Sequence, residues 1–390
     1  MRIGILTFHK PINYGAFLQA FSLSGQLQKR FPDCKVEIID YIAPKESRKR
    51  FLNILRDIKH HGLKAGMQSA GRYLVFRKSQ KHLKLSRESF CTEKQTALFS
   101  FIDDNYDYLI IGSDAVFNWQ QNGYPSAFIP GYDFKRCKVL CYAASVHGLR
   151  YLEEPEEYIH NCGKSFKKML FVGTRDRNTE NFVRYCTEQA KIMHCCDPTV
   201  IIDVAKIQEK ADGYRARILK KYKCDLSKKY IVLMIPDSSA TKAVREKYSE
   251  EFQIITLFKP SKDANFYLYD LNPFEWAAVL SGASVVITSY FHGTLLALKQ
   301  NVPVISVDYS NYNDDVYEGK LQDLMCTRLK LAELYFDGRN ISCKEVSNLL
   351  INNIDKALAG NYRQRIEEAM KQESACFDEF CISLKAELEA

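Results

Sequence analysis

The stretch VVITSYFHGTLLALKQNVPVISVD, residues 285–308, reads as a strand, a helix and a second strand. Its first apolar run ends at Thr288, and a group of polar residues follows. Leu295, Leu296 and Leu298 then give a helical period before the second apolar run begins. Because two such runs joined by a helical crossover are typical of neighbouring parallel strands, the stretch predicts an α/β fold.

The same alternation extends through most of the chain. In the first half, the apolar runs predict one parallel sheet: RIGIL, KVEIIDY, YDYLIIGS, KVLCYAAS, LFVGTRD and IMHCCDPTV. A second series follows the charged helical segment 204–228: KYIVLMIP, FQIITLF, SVVITS and VPVISVD. We therefore predict two Rossmann-like, doubly wound domains facing a cleft, at residues 1–203 and 204–341, and a C-terminal helical tail at 342–390.

Composition excludes several classes of protein. A chain of 390 residues with 46% hydrophobic and 26% charged residues is typical of a soluble globular protein with more than one core. The opening MRIGILTF lacks the features of a secretory signal, and no apolar run approaches the roughly 20 residues of a membrane span. We expect a cytoplasmic protein.

The 13 cysteines show no C-x-x-C spacing, which predicts reduced, mostly buried thiols. Cys195 and Cys196 follow His194 directly, but adjacent side chains on a strand point to opposite faces. We therefore predict no metal site there and none elsewhere.

The positive charge is concentrated in one segment. Residues 44–94 contain 14 Lys or Arg and four Asp or Glu, whereas the whole chain has a formal net charge of +8. The sequence predicts an amphipathic helix with Phe51, Ile54, Leu55 and Ile58 on one face. The simpler interpretation is a helix packed on its domain with a solvated basic face.

The alternative is peripheral contact between 44–94 and an anionic membrane, at the inner membrane face. A nucleic-acid partner is not expected, because the basic charge is accompanied by no recognition motif or aromatic platform.

Polar residues follow five of the predicted strands. In parallel sheets, ligands bind beyond the carboxyl ends of the strands, so these residues are candidates for a binding site. They are Asn13, Tyr14 and Gly15 before a helix predicted to begin at Ala16; Gly112, Ser113 and Asp114; Ala144, Ser145 and His147; Thr174, Arg175 and Asp176; and Ser289, His292, Gly293 and Thr294. Taken singly, each group could serve only as a turn, a helix cap or a surface ion pair.

Two of these residues suggest a chemistry. His292 lies at a predicted helix N-terminus, where free N–H groups and a titratable imidazole can together handle an anion. Arg175 can form a bidentate clamp on a carboxylate or phosphate.

An ordered set of motifs resembles the polysaccharide pyruvyl transferase family over residues 1 to about 330. The motifs are NYGAFLQA, IGSDAVFNW, YAAS, GTRD, CDPTV, FEWAAVLSGASVVITSYFHGTLLALKQNVPVI and GKLQDLM. The resemblance implies the two-domain architecture of GT-B glycosyltransferases and transfer of a pyruvyl group from phosphoenolpyruvate to sugar hydroxyls, usually as a cyclic ketal. It implies phosphoenolpyruvate as co-substrate without a further cofactor, and a surface polysaccharide or its lipid-linked precursor as acceptor.

The resemblance also assigns roles. Arg175 would grip phosphoenolpyruvate and His292 would sit at the reacting centre, while Asp114 is our candidate for orienting a sugar hydroxyl. The family has a serine immediately before FHG; here that position holds Tyr290, with Ser289 one residue earlier, so either hydroxyl could fill the role.

Two other functions stay open at the level of sequence. The same fold could use a nucleotide sugar as donor, with Arg175 on its pyrophosphate. The chain could also be a non-catalytic, membrane-associated subunit of a polysaccharide assembly complex that acts through residues 44–94.

Overall fold

The computed structural model describes residues 1–310, 316–339, 343–360 and 362–389, without the side chains at positions 49–51, 53, 54, 57, 61, 206, 208–210, 238, 343 and 344. Its first half forms a sheet of seven parallel strands in the order β3-β2-β1-β4-β5-β6-β7. The elements in chain order are β1 (Arg2–Leu6), α1 (Tyr14–Arg30), β2 (Lys35–Tyr41), α2 (Pro44–Ser79), β3 (Leu85–Phe90), α3 (Thr96–Asn105), β4 (Tyr108–Ile111), α4 (Trp119–Asn122), β5 (Lys138–Ala144), α5 (Glu156–Lys167), β6 (Val172–Thr174), α6 (Arg177–Cys186) and β7 (Ile192–His194).

The second half forms a sheet of six parallel strands in the order β10-β9-β8-β11-β12-β13. Its elements are α7 (Val204–Lys221), β8 (Lys229–Met234), α8 (Ser238–Tyr248), β9 (Phe252–Leu257), β10 (Phe266–Leu268), α9 (Pro273–Ser281), β11 (Val285–Thr288), α10 (Phe291–Lys299), β12 (Val304–Asp308), α11 (Lys320–Gln322), β13 (Tyr335–Asp337), α12 (Cys343–Ala359) and α13 (Arg363–Glu389). Two parallel sheets flanked by helices confirm the predicted α/β fold.

The C-terminal helices pack against both halves. In α12, Asp355 accepts a hydrogen bond from the hydroxyl of Tyr248 in α8, at 2.7 Å. In α13, the Phe380 ring meets Tyr142 and Phe171 of the first half at centroid distances of 4.7 and 5.5 Å. The chain therefore crosses back to the first sheet after completing the second.

Every predicted strand forms, and the sequence interpretation missed three, β3, β10 and β13. All three lie at sheet edges, where side chains are only partly buried and apolar runs are short. Helix α1 begins at Tyr14, two residues before the predicted Ala16, because the Asn13 side chain caps it by accepting a hydrogen bond from the Ala16 N–H at 3.1 Å.

The basic segment forms helix α2, which is broken at Gly62 (φ 82°, ψ 172°). A Cβ on Gly66 would lie 2.1 Å from Cγ1 of Ile58, so the two parts of α2 are folded against each other there. The predicted apolar face includes Phe51 and Ile54, whose side chains lie outside the described residues. None of the helices in the described part of the chain combines the length and apolar character needed to cross a bilayer.

The strand order places two pairs of loops where a ligand site is expected. In the first sheet, the order in which successive strands are added reverses between β1 and β4; in the second, it reverses between β8 and β11. The loops that follow such a pair diverge to opposite faces of the sheet and leave a crevice at the carboxyl edge.

Candidate functional site

A cavity of about 830 Å³ lies between the two sheets. Its walls come from the loops after β1 and β4, from the start of α10 and from α2. The residues predicted from sequence that line it are Asn13, Tyr14, Gly15, Asp114, His147, Ser289 and His292. Loops that are distant in the chain therefore contribute to one chamber.

His292 is packed directly against helix α1. A Cβ at Gly15 would lie only 2.0 Å from Nδ1 and 2.2 Å from Cγ of the imidazole, so only glycine allows this approach. On the other side of the ring, Nε2 lies 3.7 Å from Oδ2 of Asp197, and within the described chain it has no hydrogen-bond partner. The ring is thus fixed between the first helix and a buried carboxylate.

Arg175 is buried behind the cavity and holds two carboxylates. Its Nη1 donates to Oδ2 of Asp197 at 2.8 Å, and its Nη2 lies 3.6 Å from Oδ1 of Asp114. The guanidinium also lies 4.7 Å from the centre of the Phe291 ring. Among the described residues, its Nε and Nη2 make no hydrogen bond.

The two carboxylates remain ionised because their neighbours are cationic. Burial acts to raise the pKa of Asp197, but the nearby His292 ring and the charge of Arg175 outweigh it, so this pKa lies below its ordinary range. Burial opposes ionisation of Asp114 as well, and Arg175 and His292 again lower its pKa. The side-chain amide of Gln19 donates to the same Oδ2 of Asp197 at 2.6 Å.

Lys320 supplies a cation inside the cavity. Burial, followed by the charge of Arg175, lowers its pKa to about 8. Its Nζ lies 5.4 Å from the centre of the Phe291 ring, which the Arg175 guanidinium also approaches. The charge of Lys320 and then burial lower the pKa of His147 to about 3, which keeps that imidazole neutral near pH 7.

Several predicted residues lie beneath the cavity wall. Ser113 and Thr174 are buried, and the Thr174 hydroxyl lies 3.5 Å from the carbonyl of Met193. Gly112 has φ 117°, and a Cβ there would meet the Tyr142 carbonyl at 2.2 Å. The buried Thr294 hydroxyl pairs with that of Ser306. These residues shape the backbone and do not line the chamber.

Gly293 lies beneath the wall too, where a Cβ would meet the hydroxyl oxygen of Thr288 at 2.7 Å. Asp176 caps α6, accepting from the Thr179 N–H at 2.9 Å and from the Ser145 hydroxyl at 2.6 Å. Ala144, at the end of β5, is fully buried.

Both hydroxyls considered for the family's serine line the cavity. The Ser289 hydroxyl is half-buried and lies 3.4 Å from the Met234 carbonyl. Tyr290 is more exposed, caps α10 at its backbone, and places its ring 5.5 Å from Phe258. The serine lies deeper and the phenol nearer to solvent.

A second, smaller cavity of about 260 Å³ adjoins the first. The two share His147, Ser289 and Lys320 as lining residues. The smaller one adds the carboxylates of Asp176, Asp308 and Glu318. Lys320 therefore lies at the boundary between the larger cavity, which contains several cations, and the smaller cavity, which has acidic walls.

Sequence reasoning missed Lys320, Asp197 and Arg72 as site residues. Asp197 and Lys320 lie in the motifs CDPTV and GKLQDLM, so the motifs indicated the segments and not the individual side chains. Arg72 lies in the basic segment and lines the cavity from α2. No local signal distinguishes it from the other basic residues of that segment.

One group of metal-ligand types occurs in the described chain away from this cavity. His194, Glu373 and Cys376 have ligand atoms within 4.8 Å of one another. However, Nη1 of Arg328 lies 2.5 and 2.6 Å from the two ring nitrogens of His194, so a guanidinium already occupies the position beside the ring. We therefore assign the group a structural role, joining the end of β7 to α13.

Comparisons with solved structures give the same fold. UDP-GlcNAc 2-epimerase from Neisseria meningitidis, bound to UDP-GlcNAc, matches with a TM-score of 0.58 and 10% identity, covering 99% of this chain and 100% of that one. A glycosyltransferase from Rickettsia africae matches with a TM-score of 0.56 and 9% identity, covering 98% of both chains. At these identities the likeness shows the fold alone, which is the GT-B arrangement of two parallel sheets.

Sequence comparison identifies the family. No curated protein matches the chain significantly. The profile described as polysaccharide pyruvyl transferase matches residues 13–311, which is most of the chain and includes most of the residues that line the cavity, though not Lys320. The chain belongs to the polysaccharide pyruvyl transferase family.

Proposed function

We propose that the protein transfers a pyruvyl group from phosphoenolpyruvate to the hydroxyls of a saccharide and forms a cyclic ketal. Family membership supports a transferase that acts on saccharides. The observation that supports phosphoenolpyruvate as the donor is that Lys320 and His292 line the cavity between the two sheets, with Arg175 buried behind its wall.

The donor carries about three negative charges near neutral pH, so its site needs cations and N–H donors. In this proposal Lys320, which faces the cavity, contacts the phosphate directly. The first N–H groups of α10 add further donors beside His292. Arg175, buried behind Phe291, stabilises the departing phosphate through its field and fixes Asp114 and Asp197.

His292 transfers the proton in the proposed reaction. The imidazolium protonates the methylene carbon of phosphoenolpyruvate, and a sugar hydroxyl attacks C2 while Asp114 orients it and accepts its proton. The C2–O bond to phosphate then breaks, and inorganic phosphate leaves with the proton that Asp114 had accepted. A second sugar hydroxyl attacks C2 to close the ketal, and its proton returns to His292. The ionised Asp197, 3.7 Å from Nε2, balances the charge of the imidazolium.

In this proposal the acceptor binds against aromatic residues of the cavity wall. Trp276, Phe258 and Tyr290 line the cavity, and aromatic faces of this kind suit sugar rings. Asn13, Tyr14, Gly15 and the Ser289 hydroxyl complete the wall between donor and acceptor in this proposal. The acceptors in this proposal include lipid-linked saccharides, because helix α2, which carries the basic charge, forms part of the same wall.

The test is stabilisation by ligand. At a hundred times its Kd, a ligand that binds only the folded protein adds about 2.7 kcal/mol to stability. We expect this with phosphoenolpyruvate and not with a panel of nucleotide sugars. The effect should be lost in Lys320→Gln and kept in Lys259→Gln, which removes an exposed cation from the same cavity.

Stabilisation by a nucleotide sugar alone would replace this proposal with a nucleotide-sugar glycosyltransferase. For the chemical step, His292→Ala should lower phosphate release in the presence of acceptor by about a hundredfold or more. Near-normal turnover would remove His292 from the reaction.

A further inference from the structure

Helix α2 turns a row of large apolar side chains away from the protein. Leu63, Met67 and Leu74 are 68, 67 and 55% exposed. They lie at positions i, i+4 and i+11, which place them on one face of the helix. Six of the 17 exposed large hydrophobic residues in the described chain are on this helix, the others being Leu52, Leu55 and Ile58.

The opposite face of the same helix packs on the protein. Phe76 is buried, with its ring 5.8 Å from the centres of both Tyr14 and Phe17. Ser79 is buried, and Arg72 is half-buried at the cavity. The helix is thus held by one side while its apolar row remains outside, which is the reverse of an amphipathic helix that buries its apolar stripe against its own domain.

The charge of α2 completes the pattern. Its 36 residues include ten Lys or Arg and two Asp or Glu, a balance of +8 that equals the formal net charge of the entire chain. Exposed basic side chains, among them Arg56, Lys59 and Lys64, accompany the exposed apolar ones. Apolar residues mixed with exposed cations are the pattern of a helix that lies in a membrane interface.

We propose that α2 is a docking surface for an anionic lipid bilayer. Charge argues against a second copy of the chain on this face, because two helices of +8 would repel each other. An anionic bilayer satisfies both features at once, since headgroups pair with the cations and the acyl boundary receives Leu63, Met67 and Leu74.

The surface leads directly to the cavity. Arg72 lines the cavity from the inner side of α2, and its buried Nε has no hydrogen-bond partner among the described residues. Ile12 and Tyr290, which are 37 and 38% exposed, line the same cavity. Docking through α2 therefore brings the cavity close to the bilayer. The additional inference that the bilayer carries the acceptor rests on the proposed transfer reaction.

Vesicle flotation of the full-length protein tests the surface. We expect flotation with vesicles of phosphatidylethanolamine and phosphatidylglycerol, little with phosphatidylcholine alone, and loss of binding as salt rises. The triple variant Leu63→Ser/Met67→Ser/Leu74→Ser should reduce the bound fraction by about tenfold or more. Because all three side chains are exposed, this variant should fold normally.

The matched control replaces three exposed apolar residues elsewhere. Leu152→Ser/Leu226→Ser/Ile382→Ser removes side chains that are 51, 56 and 70% exposed, and it should float like the wild type. Wild-type protein that fails to float, or equal loss in both triple variants, would overturn the proposal. So would a dimer in solution that only the α2 variant dissociates.

The transfer reaction is tested separately by phosphoenolpyruvate stabilisation without vesicles. Flotation without that stabilisation would leave the docking surface standing and reject the donor. Stabilisation without flotation would support phosphoenolpyruvate as the donor and reject the docking surface.

Discussion

Replacing Gly15 with alanine tests the contact between helix α1 and the His292 ring. The new Cβ would lie 2.0 Å from Nδ1, 2.2 Å from Cγ and 2.7 Å from Cβ of His292. Since real Cβ contacts are essentially never shorter than 3.0 Å, either α1 or the His292 side chain must move by about 1 Å. Overpacking of this kind costs about 1–3 kcal/mol.

Gly25 provides the matched control in the same helix. A Cβ added there would meet no atom within 4 Å, so alanine at this position gains only helix propensity, about 0.5–1 kcal/mol. The two substitutions should thus change the free energy of unfolding in opposite directions. Urea denaturation followed by circular dichroism measures both.

A double variant locates the cause of the penalty. The two closest contacts are with ring atoms, so most of the cost of Gly15→Ala should disappear in a His292→Ala background. In the intact site, a displacement of about 1 Å should lower turnover about a hundredfold. Stabilisation of the protein by Gly15→Ala, equal to that of Gly25→Ala, would refute the packing described here.

Three further predictions concern the cations. Because the pKa of Lys320 is about 8, its charge is lost as pH rises through that value, and the affinity for phosphoenolpyruvate should fall above it. If the plot of affinity against pH keeps this inflection in Lys320→Arg, the assignment to Lys320 is contradicted. Arg175→Ala leaves two buried carboxylates without their partner and should lower the free energy of unfolding by about 3–5 kcal/mol. Thermal unfolding measures this change, and a value below about 1 kcal/mol would show that the ion pairs contribute little. Arg72→Gln should raise KM for a lipid-linked acceptor about tenfold or more and leave KM for phosphoenolpyruvate unchanged. The control is Lys242→Gln, which removes an exposed cation of α8, and equal effects would exclude a specific role for Arg72.

The interior of each sheet could be predicted from sequence, whereas three of the four edge strands could not. Strands such as Tyr108–Ile111 and Val285–Thr288 are buried on both faces, so their apolar runs are continuous and visible. At an edge, Leu85–Phe90 has one buried residue and carries Arg87 and Glu88 outward, which hides it in a basic segment. Edge strands need few apolar residues, and they are therefore weakly encoded.

The candidate site was predictable only as a set of loops. Asn13, Asp114 and His292 follow predicted strands, and the rule that ligands bind at carboxyl ends directed attention to them. The rule does not say which side chain faces the cavity. Arg175 lies behind Phe291 while Lys320 is in the cavity, a distinction that depends on side-chain packing across the two halves.

By itself, the sequence determined the α/β class, the two series of strands, the family motifs and the location of the basic segment. Each of these depends only on local periodicity, local motifs or composition. Only the tertiary structure decided that Asp197 stands between Arg175 and His292, that Gly15 admits the imidazole, and that α2 faces its apolar row outward. These are contacts and orientations between segments distant in the chain. Their physical basis is close packing between elements, which no local pattern specifies.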